Sequence, residues 1–337
     1  MRDCPGARPD DPEQRDGGLV GPGRSTGAYQ TAGQEDPQKE RLPAGQAGEG
    51  DGDGAGAGGN SLRGVGGVRS NREAEKTQKG NPHNLTCRQH ILSRKSIERF
   101  ADKDGLVTVL FLKGSKSGKS ERLPSKNDLF CAKRAWDQRS EVITKKVYED
   151  PFQELAERIV SGETQSLGPK DNITATAFWG LWRARFLADS RNPPEYKTVI
   201  GCTGIESKDL RESIEKNLGL FINPESTIPG RAITGQTIQK SIDCILMELG
   251  NLEWVIAETK ESEFIVSDHP YIFYIPISPK KCLIPFTPSI LQTQNLKRKV
   301  YLGRERVVAM NKSQVEVSDT YVFSRSIDIL RDEIWRA

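Results

Sequence analysis

The chain has 337 residues, with 49 Lys and Arg against 46 Asp and Glu, and 35% of it is hydrophobic, low for a globular protein. The shortfall is local, because residues 1–80 hold 19 of the 32 glycines and a single aromatic, Tyr29. No run approaches the ~18 consecutive apolar residues of a spanning helix, and Met1 is followed by Pro, Gly and charges rather than an apolar leader core, so neither a membrane protein nor a secreted one is expected.

The Gly/Ala/Asp run from Gly45 to Gly67 cannot bury enough apolar surface to offset the entropy of ordering it, so residues 1–80 are predicted to be a disordered tail. That tail carries 11 Lys and Arg against 13 Asp and Glu. From Asn81 onward the balance is 38 basic against 33 acidic residues, mildly basic and short of a nucleic-acid-binding footprint. Cys4, Cys87, Cys131, Cys202, Cys244 and Cys282 show no paired spacing, which excludes a CxxC zinc site. A chain without a leader is read as reducing and cytoplasmic.

Order is predicted to begin near Asn81. Cys87–Ala101 reads as a short helix. Leu106–Leu112 is rich in β-branched and aromatic residues and reads as a buried strand, followed by a polar turn at Gly114–Ser120. A second strand is expected over Leu129–Trp136. Pro151 suits the first turn of a helix running to Val160 and stopped by Gly162. The next helix, capped by Asp171 or Asn172, runs to about Leu187, with Phe178, Leu181, Trp182 and Arg185 on one face. Asn192-Pro193-Pro194 ends it. Ser207–Asn217 and Thr234–Leu249 are further helices, the second with a stripe of Ile238, Ile242, Ile245 and Leu249 and Gly250 beyond it.

From Asn251 the apolar period becomes two. Strands are predicted at Leu252–Glu258, Glu263–Val266, Tyr271–Ile275 and Cys282–Phe286, separated by prolines. Arg306–Ser318 reads as a helix, Tyr321–Ser324 as a strand and Ile327–Trp335 as a terminal helix. The predicted class is α+β: a helix-rich N-terminal half packed on a small, mostly antiparallel sheet, residues 81–337 forming one domain.

Gly114 to Ser120 (GSKSGKS) follows a strand as a phosphate-binding loop would, but only three residues separate its glycines and Pro124 interrupts any following helix, so it reads as a solvated hairpin turn. His90 and Arg94 lie one helical turn apart if the helix includes both. If Ser93 caps the helix, His90 precedes its first turn, where the dipole favours a neutral imidazole. Either placement suits a general base or a ligand, or a structural histidine on backbone. In Phe264-Ile265-Val266-Ser267-Asp268-His269-Pro270, a strand end fixes Asp268 as a catalytic carboxylate or a turn-former. Glu149, Glu154 and Glu157 make an acidic helix in which Glu154 also pairs with Arg158 at i, i+4. Trp179, Trp182, Arg183 and Arg185 suit either stacking with phosphate contact or core packing with a basic rim.

His90, Ile97 and Phe100 in Gln89–Ala101 resemble the opening motif of the domain of unknown function 4238 family: a His, then Pro, Leu and Phe three, seven and ten residues later, then a strand. Ser93 replaces the Pro, and both start helices. Phe178, Leu181 and Arg185 resemble that family's middle helix. Ser267-Asp268-His269-Pro270 is similar to its Ser-Asp-x-Pro, Pro276-Ile277-Ser278-Pro279 to the Pro-Leu-Ser-Pro that follows, and Met310-Asn311 to Ser324 to its closing segment. The resemblance covers about residues 86–325 and brings no established activity. The functional expectation is a hydrolase, of metal-dependent nuclease or toxin-like type, with His90 as base or ligand, Asp268 and Glu154 as carboxylates and Arg185 stabilising a phosphate-like transition state. No cofactor is identified, and nucleic acid is the candidate partner. The alternative is a non-enzymatic binding or regulatory module in which His90 and Asp268 satisfy buried backbone groups.

Overall fold

The structure is a computed structural model that describes residues 81–189, 196–197, 199, 201–294 and 299–326. The predicted tail at 1–80, the stop at Asn192-Pro193-Pro194 and the terminal helix at Ile327–Trp335 lie outside the described residues.

The chain opens with β1 (Arg88–His90), α1 (Arg94–Glu98), β2 (Leu106–Phe111), β3 (Ser120–Pro124) and β4 (Cys131–Lys133). A helical arm follows: α2 (Gln138–Thr144), one π-helical turn (Lys145–Glu149) and α3 (Asp150–Ser161). Next come α4 (Pro169–Asp189), β5 (Tyr196–Lys197), α5 (Lys208–Lys216), β6 (Thr227–Ile228) and α6 (Gly230–Leu249). The remainder is β7 (Glu253–Glu258), β8 (Val266–Ser267), β9 (Ile275–Ser278), β10 (Lys281–Phe286), α7 (Pro288–Gln294), β11 (Lys299–Tyr301), α8 (Arg304–Val317) and β12 (Tyr321–Ser324).

The class is α+β, with small sheets that are antiparallel except where β11 runs parallel to β7. The helix-rich first half packs against several small sheets rather than one. One four-stranded sheet has the order β3-β2-β12-β8, joining the first long strand to the last through Phe111↔Tyr321 and Thr108↔Ser324. A second has the order β11-β7-β10-β9. The ribbons β1–β4 and β5–β6 complete the set. Strand pairing across this much sequence leaves no trace in local periodicity.

Several predicted elements shift for local reasons. Cys87–Ala101 is not one helix: Arg88–His90 pairs with Cys131–Lys133, and the helix waits for Ser93, whose hydroxyl accepts the Ser96 N–H. Most of the expected strand Leu129–Trp136 is absent, since Asn127 caps a tight turn over Asp128–Phe130 and leaves only β4. Ser120–Pro124 is a strand the sequence pattern hides behind charges. Of Glu263–Val266 only the last residue is paired, and Tyr271–Tyr274 is loop, with β9 starting at Ile275.

Alternate residues of each inner strand face the main core. Val107, Val109 and Phe111 of β2, Phe323 of β12, and Trp254 and Ile256 of β7 meet Phe152, Leu155 and Ile159 of α3 and Phe178 and Trp182 of α4. Phe152 and Phe178 stack at 3.7 Å and tie the two helices together. Ala257 and Cys282 on the opposite sheet face pack under Val307 of α8. Burial of each such side chain contributes about 1.5–3 kcal/mol. The β7 sheet is locked to α4 by the Asn172 side chain, which accepts the Trp254 N–H at 2.9 Å, while the Trp254 indole donates to Thr176.

Candidate functional site

The His90 region is built on the β1–β4 ribbon. Inward-facing Gln89 brackets Trp136 from within, its amide donating to Trp136 O at 2.9 Å and its carbonyl accepting Trp136 N–H. Strand alternation therefore turns His90 to the outer, half-buried face. Directly across the ribbon stands Cys131. Opposite residues of an antiparallel pair share a face, with Cβ atoms about 4.5–5.5 Å apart. His90 Nε2 lies 3.2 Å from Ser125 O, the arrangement of a ring N–H donating to a backbone carbonyl. Burial lowers its pKa below the ordinary histidine value, against opposing pulls from the Ser125 carbonyl, Glu149 and Glu141. Burial thus favours the neutral ring.

Arg185 sits behind this ribbon, with 2% of its side chain exposed. Its Nη1 donates to His90 O at 3.3 Å and to Glu149 at 2.8 Å, and its Nη2 to Thr144 Oγ1 at 3.1 Å. Glu141 lies 3.8 Å away, and the guanidinium stacks over Trp136 at 5.5 Å. The π-helical turn makes this possible. Pro151 has no N–H for the carbonyl one turn earlier and crowds it, so the helix widens ahead of it, and Glu149 lies within that widened turn. This guanidinium is buried, with both Nη atoms engaged by protein groups and its Nε without a partner among the described residues.

Asp268 follows β8 at the foot of a loop. Its Oδ1 accepts Asp319 N–H at 2.9 Å, and its Oδ2 accepts Thr320 N–H at 2.7 Å and Tyr321 N–H at 3.1 Å. The Ser267 hydroxyl donates to His269 O and accepts from Ser318 Oγ. Burial nonetheless pushes the Asp268 carboxyl up, outweighing three amides that favour the anion. Glu154 stands apart, exposed on α3. The arginine expected to pair with it, Arg158, reaches Asp171 instead at 2.8 Å.

The motifs converge in part. Ile91, Leu92 and Ile97 join Ser267, Asp268, Tyr321 and Trp182 around a narrow cleft of about 10 Å³, whose lining does not include His90, Arg185 or Glu154. Around it, burial moves His90 down and Cys131, Asp189, Asp268 and Tyr321 up, all toward uncharged forms. Asp268, Asp189 and Cys131 each act electrostatically on Tyr321, which places the four in one neighbourhood. Clustered shifts of this kind mark functional sites more often than ordinary surface. Among the described residues no group of three or more His, Cys, Asp or Glu is placed to hold a metal ion.

Sequence reasoning missed Cys131, Thr144, Glu141 and Tyr321 and noted Glu149 only as part of an acidic helix. Glu149 comes into view only with the π-helical turn ahead of Pro151. Nothing in the sequence ties Cys131 to His90, because their register depends on the ribbon. The polar turn Gly114–Ser120 is the hairpin loop between β2 and β3, closed by Gly118 N–H on Phe111 O, with Gly114 and Gly118 at positive φ. No helix among the described residues is long and apolar enough to cross a membrane. Comparison with protein-family models, curated proteins and solved structures returned no match.

Proposed function

We propose that the domain is a non-enzymatic binding module whose partner docks beside the cleft between β1 and the β8–β12 corner. The observation that carries this reading is the Asp268 carboxylate. Both of its oxygens are occupied by three main-chain N–H groups, the employment of a loop staple rather than of a general base. Arg185 is likewise enclosed by His90 O, Thr144 and Glu149. The resemblance to the domain of unknown function 4238 family belongs to the same proposal: Ile97, Ser267 and Asp268 of its motifs all line one cleft, and Arg185 holds the His90 carbonyl. Cys87, Cys131, Cys202, Cys244 and Cys282 are free thiols, which fits a reducing compartment, and we place the module in the cytoplasm.

A second reading, a hydrolase with His90 as general base, draws on one feature. Burial favours the neutral imidazole, and its Nδ1 has no hydrogen-bond partner among the described residues. Arg185 would then act as a positioning residue through His90 O rather than on substrate.

The test combines melting curves with hydrolysis assays on phosphodiester, ester and peptide substrates, with magnesium or zinc added. The module reading expects Asp268→Ala and Arg185→Ala to melt markedly lower and no turnover to depend on His90. A turnover present in the wild type and lost in a fully folded His90→Ala would sink it.

A further inference from the structure

The loop from His269 to Phe273 leans against one face of α4 and builds an aromatic–cationic platform. The His269 ring stacks on Phe186 with centroids 4.3 Å apart and planes within 14°. Tyr271 meets His269 edge-on at 5.7 Å. The Arg183 guanidinium lies 5.6 Å from the Trp179 ring and 5.8 Å from the Tyr271 ring, bridging helix and loop. The loop backbone is pinned by the Trp179 indole donating to Ile272 O at 3.3 Å, by Arg183 donating to Pro270 O at 3.5 Å, and by the Asp268 staple at its foot. Tyr271 is nevertheless 61% exposed.

Tyr271 is flanked by a guanidinium and an imidazole, yet most of its ring is open to water. The pairing of an exposed aromatic ring with the Arg183 guanidinium at its border fits a planar, electron-rich ring joined to an anion. An apolar peptide side chain would instead have to strip water from Arg183. A duplex offers no free base face, so the matching ligand is single-stranded.

The geometry points to a single-stranded nucleic-acid site in which a base stacks on the exposed Tyr271 ring while Arg183, at its border, faces the adjacent phosphate. This rests on the module reading and names its ligand class.

Its test is fluorescence anisotropy with the full chain and a labelled oligouridylate or oligothymidylate of about ten nucleotides, within the usual range of single-strand sites. A duplex and an unlabelled aromatic-rich peptide serve as competitors, and the oligonucleotide is examined on a gel afterwards. Loss of one stacking contact is expected to weaken binding about tenfold in Tyr271→Ala, with Tyr271→Trp retaining it and Arg183→Gln weakening it and reducing its salt dependence. The duplex should compete poorly. Because Tyr271 is exposed, Tyr271→Ala should melt as the wild type does, which keeps the comparison interpretable. No binding at low salt, equal binding by Tyr271→Ala, equal competition by the duplex, or displacement by the peptide alone would overturn the proposal and leave the module reading standing. Cleavage of a bound oligonucleotide that disappears in His90→Ala would overturn the module reading and leave the platform standing.

Discussion

Asp268 sets the terms at the scale of single residues. Its side chain does for the turn before β12 what a helix N-cap does for a first turn: one carboxylate answers several amides that have no other partner. Asp268→Asn keeps the shape but points an NH2 at an N–H. It is expected to cost about 1–3 kcal/mol in denaturant unfolding, the penalty of a buried unsatisfied donor. Arg185→Ala should be worse, about 3–5 kcal/mol, because it leaves Glu149 and Glu141 beside a vacated guanidinium site. An Arg185→Met variant combined with Glu149→Gln should recover part of that loss in the same assay. His90 carries a pH signature. Its folded pKa lies below the ordinary 6.5, so the folded state binds the proton less readily than the unfolded chain. Its contribution to stability is therefore complete above about pH 6.5 and declines as pH falls from there toward the lowered value. Unfolding of the wild type and His90→Gln, compared across that window, should show the difference shrinking on acidification; a difference that is flat or grows would refute the assignment.

Helix α2 crosses α6 at the scale of elements so closely that Gly235 is a steric requirement. A Cβ there would fall 2.0 Å from Ser140 Oγ and 2.8 Å from Ser140 Cβ. Gly235→Ala should therefore lower stability by about 1–3 kcal/mol through overpacking, and Ser140→Ala in the same chain should restore part of it, as thermal melts of the single and double variants would show. Elements defined by their own residues were legible beforehand. The β2 run of apolar residues, the α4 face of Phe178, Leu181, Trp182 and Arg185, the polar helix α5 and the α6 stripe all carry their cause in adjacent positions. Elements defined by a distant partner were not. Arg88–His90 is strand only because Cys131–Lys133 lies beside it, and Tyr271–Tyr274 is loop, with Phe273 set between Trp179 of α4 and Trp254 of β7 and Tyr274 reaching Met310 of α8. The candidate site followed the same rule. His90 and Asp268 stand out as residue types in motifs, whereas Glu149 and Cys131 become visible only once the π-helical turn and the ribbon are in place.

The two main sheets are held together at the scale of the whole molecule by α3 and α4, which contribute to a core fed by strands from both ends of the described sequence. Pairing of β2 with β12 makes that core a late event, since contacts so far apart in sequence carry a large loop-closure cost. A chain ending at Ser318 should lose the partner of both β2 and β8, and with them the groups that Asp268 binds. Hydrogen exchange should then find β2 amides unprotected while those of α6 retain protection. The same pairing has a meaning during synthesis. As β2 leaves the ribosome it is an apolar strand with β3 as its only neighbour, and its other edge stays unfilled until translation has nearly finished the domain. Throughout that interval it is a sticky template, and the charged residues of β3 on its far side are the one safeguard already in hand. Cells making this protein quickly would be expected to need a holding chaperone for it, and a slower-translated message should yield more of it in soluble form.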